Sequence, residues 1–145
     1  MDNYDKQETY AHLKTKLKKA INSSFYFEAV MIEYAIIEDR TSSILDHGKV
    51  CDDAFSTNKK LGNKLNSIEH QIGKKHPVIS KKVNPELIAM IKVWKDKRND
   101  YVHRAASMKY DDERLKEIAE EGNELVRRLI NDSRKVTTYY KNHQE

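Results

Sequence analysis

Phe25-Tyr26-Phe27-Glu28-Ala29-Val30-Met31-Ile32-Glu33-Tyr34-Ala35-Ile36-Ile37 is the most apolar stretch of the 145-residue chain, and only Glu28 and Glu33 within it are charged. Its apolar residues surround a helical axis instead of forming one stripe. That pattern belongs to a helix covered on several sides in a bundle, or buried at a subunit interface. With its flanks it predicts a helix from about Ser24 to Asp46. Asn22-Ser23-Ser24 supplies the break and an N-cap, and His47-Gly48 the stop. A lone buried carboxylate is expensive, so Glu28 and Glu33 are expected to find partners or to sit at a seam and reach solvent.

Outward from this stretch the signals remain helical. Before it, Tyr10, Leu13, Leu17, Ala20 and Ile21 recur at three- and four-residue spacing, giving one apolar stripe over about Asp5 to Asn22. After it, Leu61, Leu65, Ile68 and Ile72 predict a short amphipathic helix from Asn58 to Gly73. Its flanks, Cys51 to Thr57 and Lys74 to Asn84, read as loops. Asn84-Pro85-Glu86 opens the next helix with a cap, a proline at the first position and an acid in the first turn. That helix carries the only tryptophan, Trp94, and ends near Ser107. A last helix starts after Tyr110, and its apolar face runs from Leu115 through Ile118, Ala119, Gly122, Leu125 and Val126 to Leu129 and Ile130, with an extension to Tyr140. Five helices and no strand make the expected fold all-α, a single-domain bundle over residues 1–145.

Bulk properties narrow the class. Charged residues make up 34% of the chain and hydrophobic ones 38%, so no stretch approaches the roughly 20 apolar residues of a membrane span. Met1-Asp2-Asn3-Tyr4-Asp5 is acidic and polar, unlike a secretory signal, and the single cysteine, Cys51, excludes an internal disulfide. A cytoplasmic location with no membrane association is expected. The net charge of +4 is unevenly spread: residues 59–82 hold seven lysines against Glu69 alone, whereas residues 111–124 hold seven acids against Arg114 and Lys116. A basic run can attract RNA, and a lysine-rich connector can equally be solvated surface.

The chemistry concentrates at Arg98-Asn99-Asp100-Tyr101-Val102-His103. At about 100° per residue, Leu87, Met90, Ile91, Trp94, Tyr101, Val102 and Ala105 share one side of this helix, and Arg98 falls near the middle of them. An arginine aimed inward needs a carboxylate such as Glu33, or lines a cleft that receives an anion. Histidine moves protons near neutrality without a metal, and arginine offers planar donors to a phosphate. Asn99 beside Arg98 can orient it. Together they fit RNA cleavage by attack of the 2′-hydroxyl on the adjacent phosphate, a reaction closed to DNA. Arg98 and His103 lie about 140° apart on an ideal helix, so one helix places them poorly for a joint task. Lys95, Lys97 and Arg104 flank the motif and could steer RNA. The opposing interpretation is an arginine that caps a core carboxylate beside a surface histidine.

The hexapeptide resembles the signature of the HEPN superfamily, an arginine followed after four to six residues by histidine, with a polar residue commonly next to the arginine. The order of helices is similar as well. The resemblance implies a compact helical bundle that dimerises and joins two motifs in one cleft. It also implies metal-independent RNA cleavage, in toxin–antitoxin or antiviral systems, with an antitoxin or other regulatory protein as a further partner. Arg98, Asn99 and His103 would then be the catalytic set. In HEPN toxins paired with nucleotidyltransferase antitoxins a tyrosine stands two residues after the histidine, and this chain has Ala105 there. Some HEPN domains cleave nothing and bind a nucleotide or a partner protein, which is the alternative expectation. No cofactor or metal is expected: there is no Gly-rich phosphate loop, and no second ligand pair completes the spacing of His47 and Cys51. His70 and His76 read as surface residues. Tyr139-Tyr140 could stack on bases or pack the end of the last helix.

Overall fold

The computed structural model describes residues 3–50, 60–107 and 111–143, with side chains from Glu8 onward. The protein is all-α. Among the described residues there are six helices and no strand: α1 (Asn3–Asn22), α2 (Tyr26–His47), α3 (Leu61–Gly73), α4 (Ile79–Lys82), α5 (Pro85–Arg104) and α6 (Asp112–Asn142). The loop expected over Cys51 to Thr57, together with Asn58, Lys59 and Tyr110, lies outside the described residues. No helix is long and apolar enough to cross a membrane among the described residues.

Contacts divide the chain into two compact units, Met1–Ile36 with Trp94–Glu124, and Ile37–Val93 with Leu125–Glu145. In the first unit the apolar stretch of α2 is covered along one side and not all round: Ala29, Val30, Ile32 and Ile36 are buried, whereas Phe25, Phe27 and Met31 are exposed. Leu17 and Ala20 of α1, Trp94 and Tyr101 of α5, and Leu115, Ile118 and Ala119 of α6 are buried as well. Trp94 donates its indole N–H to the Ile118 carbonyl at 2.9 Å, which satisfies the one polar atom of a buried ring. Tyr101 fixes the start of α6, its hydroxyl donating to the Asp111 carbonyl at 3.1 Å and accepting from the Asp111 N–H at 3.2 Å. The Asp111 carboxylate in turn accepts the Arg114 N–H at 3.2 Å as an N-cap.

The second unit is built on Ile37, Ile44, Leu61, Leu65, Ile68, Ile79, Leu87, Ile88, Ile91, Leu125 and Leu129, all without exposed surface or nearly so. The cap expected for α5 is present, Asn84 Oδ1 accepting the Glu86 N–H at 2.9 Å, with Pro85 as the first helical residue. Four boundaries differ from expectation. Ser24 does not cap α2: it takes a left-handed φ of 61° and ends α1, and Phe25 precedes the first turn of α2. The stop after α2 places the left-handed residue at Lys49, with φ 57°, not at Gly48. Gly48 serves by having no side chain, since a Cβ there would lie 2.7 Å from Ile79 Cδ1. α5 ends at Arg104, short of Ser107.

The fourth difference adds the sixth helix. The stretch expected as loop from Lys74 to Asn84 contains α4, anchored by buried Val78 and Ile79. His76 explains how so short a helix holds. Its Nδ1 accepts the N–H groups of Val78 and Ile79 at 3.2 and 3.1 Å, so Nε2 carries the proton and donates to the Gly48 carbonyl at 3.0 Å. The residue expected to be idle surface is a structural staple.

Candidate functional site

The hexapeptide occupies the C-terminal turns of α5, in the first unit. Tyr101 is buried and Val102 half-buried, which turns this face of the helix inward; Asp100, His103 and Arg104 are exposed. Arg98 is half-buried, at a helix position that falls between Tyr101 and Val102. Its guanidinium is held by groups from two helices. Nη1 donates to Asn99 Oδ1 at 2.9 Å, Nη2 approaches Met31 Sδ at 2.9 Å, and the guanidinium carbon lies 4.2 Å from the centre of the Tyr34 ring. The adjacent amide therefore does contact the arginine. Met31 and Tyr34, by contrast, are contributions of α2 that the motif itself does not announce.

Glu33, which could have paired with Arg98, does not. It is fully buried and neither carboxyl oxygen has a hydrogen-bond partner. Its carboxyl lies instead against α6 and α5: a Cβ added to Gly122 would fall on Glu33 Oε1 and 2.7 Å from Trp94 Cζ2. Burial pushes its pKa up to about 9, so the group is neutral at neutral pH. The expectation that both acids of the stretch reach a partner or solvent holds for Glu28, which is exposed, and fails for Glu33. Gly122 leaves the room that makes this burial sterically possible.

The flanking cations are engaged. Lys95 pairs with Asp96 at 3.0 Å, Lys97 with Glu121 at 3.4 Å and Arg104 with Asp100 at 3.4 Å. The Lys97 and Arg104 pairs are open to solvent and contribute roughly 0–1 kcal/mol, so a phosphate could exchange for their carboxylates, whereas the Lys95 side chain is mostly covered. The lysine run belongs to the other unit: Lys64 is on α3, Lys74 and Lys75 lie in the turn after it, and Lys81 and Lys82 are on α4. Tyr139 meets Tyr140 edge-on at 5.4 Å and stacks on His143 at 4.0 Å, so these rings pack the end of α6. No group of three or more His, Cys, Asp or Glu side chains that could hold a metal ion occurs among the described residues.

Comparison with known proteins returns no matching family model, no matching curated protein and no matching solved structure.

Proposed function

We propose that this chain is a metal-independent endoribonuclease of the HEPN type, working as a homodimer whose cleft takes Arg98 and His103 from each copy. The observation that carries the reading is the end of α5: a guanidinium fixed by Asn99, Met31 and Tyr34, and an exposed imidazole five residues on. The about 140° between positions 98 and 103 on a helix argues for the second copy, because one subunit turns the two groups apart.

In this mechanism the RNA 2′-oxygen attacks the adjacent phosphorus and the bond to the 5′-oxygen breaks, leaving a 2′,3′-cyclic phosphate and a 5′-hydroxyl. His103 of one copy accepts the 2′-hydroxyl proton, and a protonated His103 of the other returns one to the leaving oxygen. Arg98 neutralises charge on the non-bridging oxygens as it grows in the transition state. Asn99 holds the guanidinium, and Lys95, Lys97 and Arg104 attract the strand. A toxin–antitoxin or phage-defence setting, with an antitoxin or other protein restraining the cleft, suits such an activity.

The test is cleavage of RNA by purified protein in EDTA, beside Arg98→Ala and His103→Ala. Each variant is expected to lose activity by about two orders of magnitude or more. Activity untouched by His103→Ala would remove the catalytic assignment. A wild-type protein that cleaves no RNA would make the chain a binding module for a nucleotide or partner protein. Light scattering at micromolar concentration checks the dimer separately, and a monomer would remove the shared cleft.

A further inference from the structure

We infer that Tyr34 is a positioning residue for Arg98, its ring holding the guanidinium so that the N–H groups turned away from it meet a phosphate. The catalytic consequence rests on the endoribonuclease proposed above; the placement does not. A guanidinium over an aromatic face is held by attraction between charge and ring quadrupole, and it still donates hydrogen bonds within its own plane. The guanidinium carbon lies over the Tyr34 ring, 4.2 Å from its centre, so the cation is held against the ring and recognition falls to the N–H groups turned away from it. Asn99 Oδ1 and Met31 Sδ, each 2.9 Å from a different terminal nitrogen, then restrict rotation of the guanidinium. An arginine on a long flexible stem is thereby ordered before substrate arrives, which is where preorganisation lowers a barrier.

The register of α2 is what supplies this platform. Met31 and Tyr34 are three apart and share a helix face. Glu33, next to Tyr34, points to Gly122 and Trp94 instead. A shift of one position would place a carboxyl where the ring lies, and an acid there would compete with phosphate for the cation. The ring orients Arg98 without adding a negative charge.

The experiment compares Tyr34→Phe, which keeps the ring, with Tyr34→Leu, which keeps apolar bulk and removes the π face. The guanidinium resonances of Arg98, assigned with Arg98→Lys, are recorded by NMR, and kcat and KM for RNA are measured on the same samples. Ring-current-shifted Arg98 signals are expected in the wild type and in Tyr34→Phe, and are expected to vanish in Tyr34→Leu. With them kcat should fall about tenfold while KM holds, because the ring acts on the transition state through Arg98. An Arg98 spectrum unchanged by Tyr34→Leu overturns the inference. Equal losses in Tyr34→Phe and Tyr34→Leu overturn it too, by making the hydroxyl the operative group. Shifted signals in a wild-type protein that cleaves no RNA support the placement and overturn only the nuclease. Tyr34→Met provides the same comparison where the leucine variant does not fold.

Discussion

Two buried acids, Glu33 in the first unit and Asp132 in the second, meet opposite circumstances. Asp132 is 8% exposed and its Oδ2 accepts the backbone N–H of Asn84 at 3.0 Å, with Lys135 Nζ 4.0 Å from Oδ1. It thereby holds the residue that caps α5. Glu33 is fully buried, accepts nothing and faces a tryptophan edge and a glycine. Burial alone therefore does not assign a role to a carboxyl group. One acid is part of the hydrogen-bond framework. The other is retained at a cost in stability, next to the residues that hold Arg98.

The largest expected effect follows from the missing partners of Glu33. Its folded pKa of about 9 stands above the ordinary value of 4.5, so the folded chain keeps a proton that the unfolded chain has released between those pH values. The pH-linked part of the stability is fully present below about pH 4.5 and is lost as pH rises from there through about 9, where the folded carboxyl ionises. At roughly 1.4 kcal/mol per pH unit, the wild type should lose about 3 kcal/mol relative to Glu33→Gln between pH 4.5 and pH 7. Urea denaturation across that range measures it. Parallel pH profiles for the two proteins would show that Glu33 has a partner or water after all, and the contrast with Asp132 would collapse.

Next comes Gly122→Ala. Glycine inside α6 costs about 1 kcal/mol in helix propensity, so alanine at an open position would stabilise. Here the added methyl meets the Glu33 carboxyl and the Trp94 ring, and overpacking should destabilise by about 2 kcal/mol net. Combining it with Glu33→Ala should recover most of that loss, since the two positions share one space. Additive losses would mean that the methyl clashes with Trp94 alone.

Asp132→Ala removes an acceptor where Glu33 variants remove none. It leaves the Asn84 N–H unpaired at the start of α5, and a loss of about 1.5 kcal/mol in thermal or urea denaturation is expected. Amide exchange should accelerate at Asn84 in this variant. An unchanged exchange rate would place the hold on α5 with the Asn84 and Pro85 cap instead.

These contrasts also show what sequence can carry. The long helices are legible because their apolar spacing repeats over several turns, and the α5 cap is legible because Asn-Pro-Glu is local chemistry. α4 is too short to show a period, and its signal is reduced to the Val78-Ile79 pair with a histidine two residues upstream. In the hexapeptide, the contact of Asn99 with Arg98 is readable from adjacency. Met31 and Tyr34 are not, because they belong to another helix and look like core in a stretch that is apolar all round. Glu33 stands among them, and its isolation depends on a glycine of α6 whose only visible role in the pattern is to continue an apolar face.

The smallest effect divides the partners of Asp132. Lys135 sits one helical turn on, its side chain about half exposed and 4.0 Å from Oδ1, so solvent and salt screen the pair. An ion pair of this kind contributes little, whereas the Asn84 N–H is a backbone donor fixed by the fold. Lys135→Ala should therefore change stability by no more than about 0.5 kcal/mol, and that difference should disappear at 1 M salt. A loss as large as that of Asp132→Ala would mean that the lysine, not the backbone, is what makes burial of this acid tolerable. Asp132 would then owe its tolerance to an opposite charge, and the absence of such a charge beside Glu33 would become the whole difference between them.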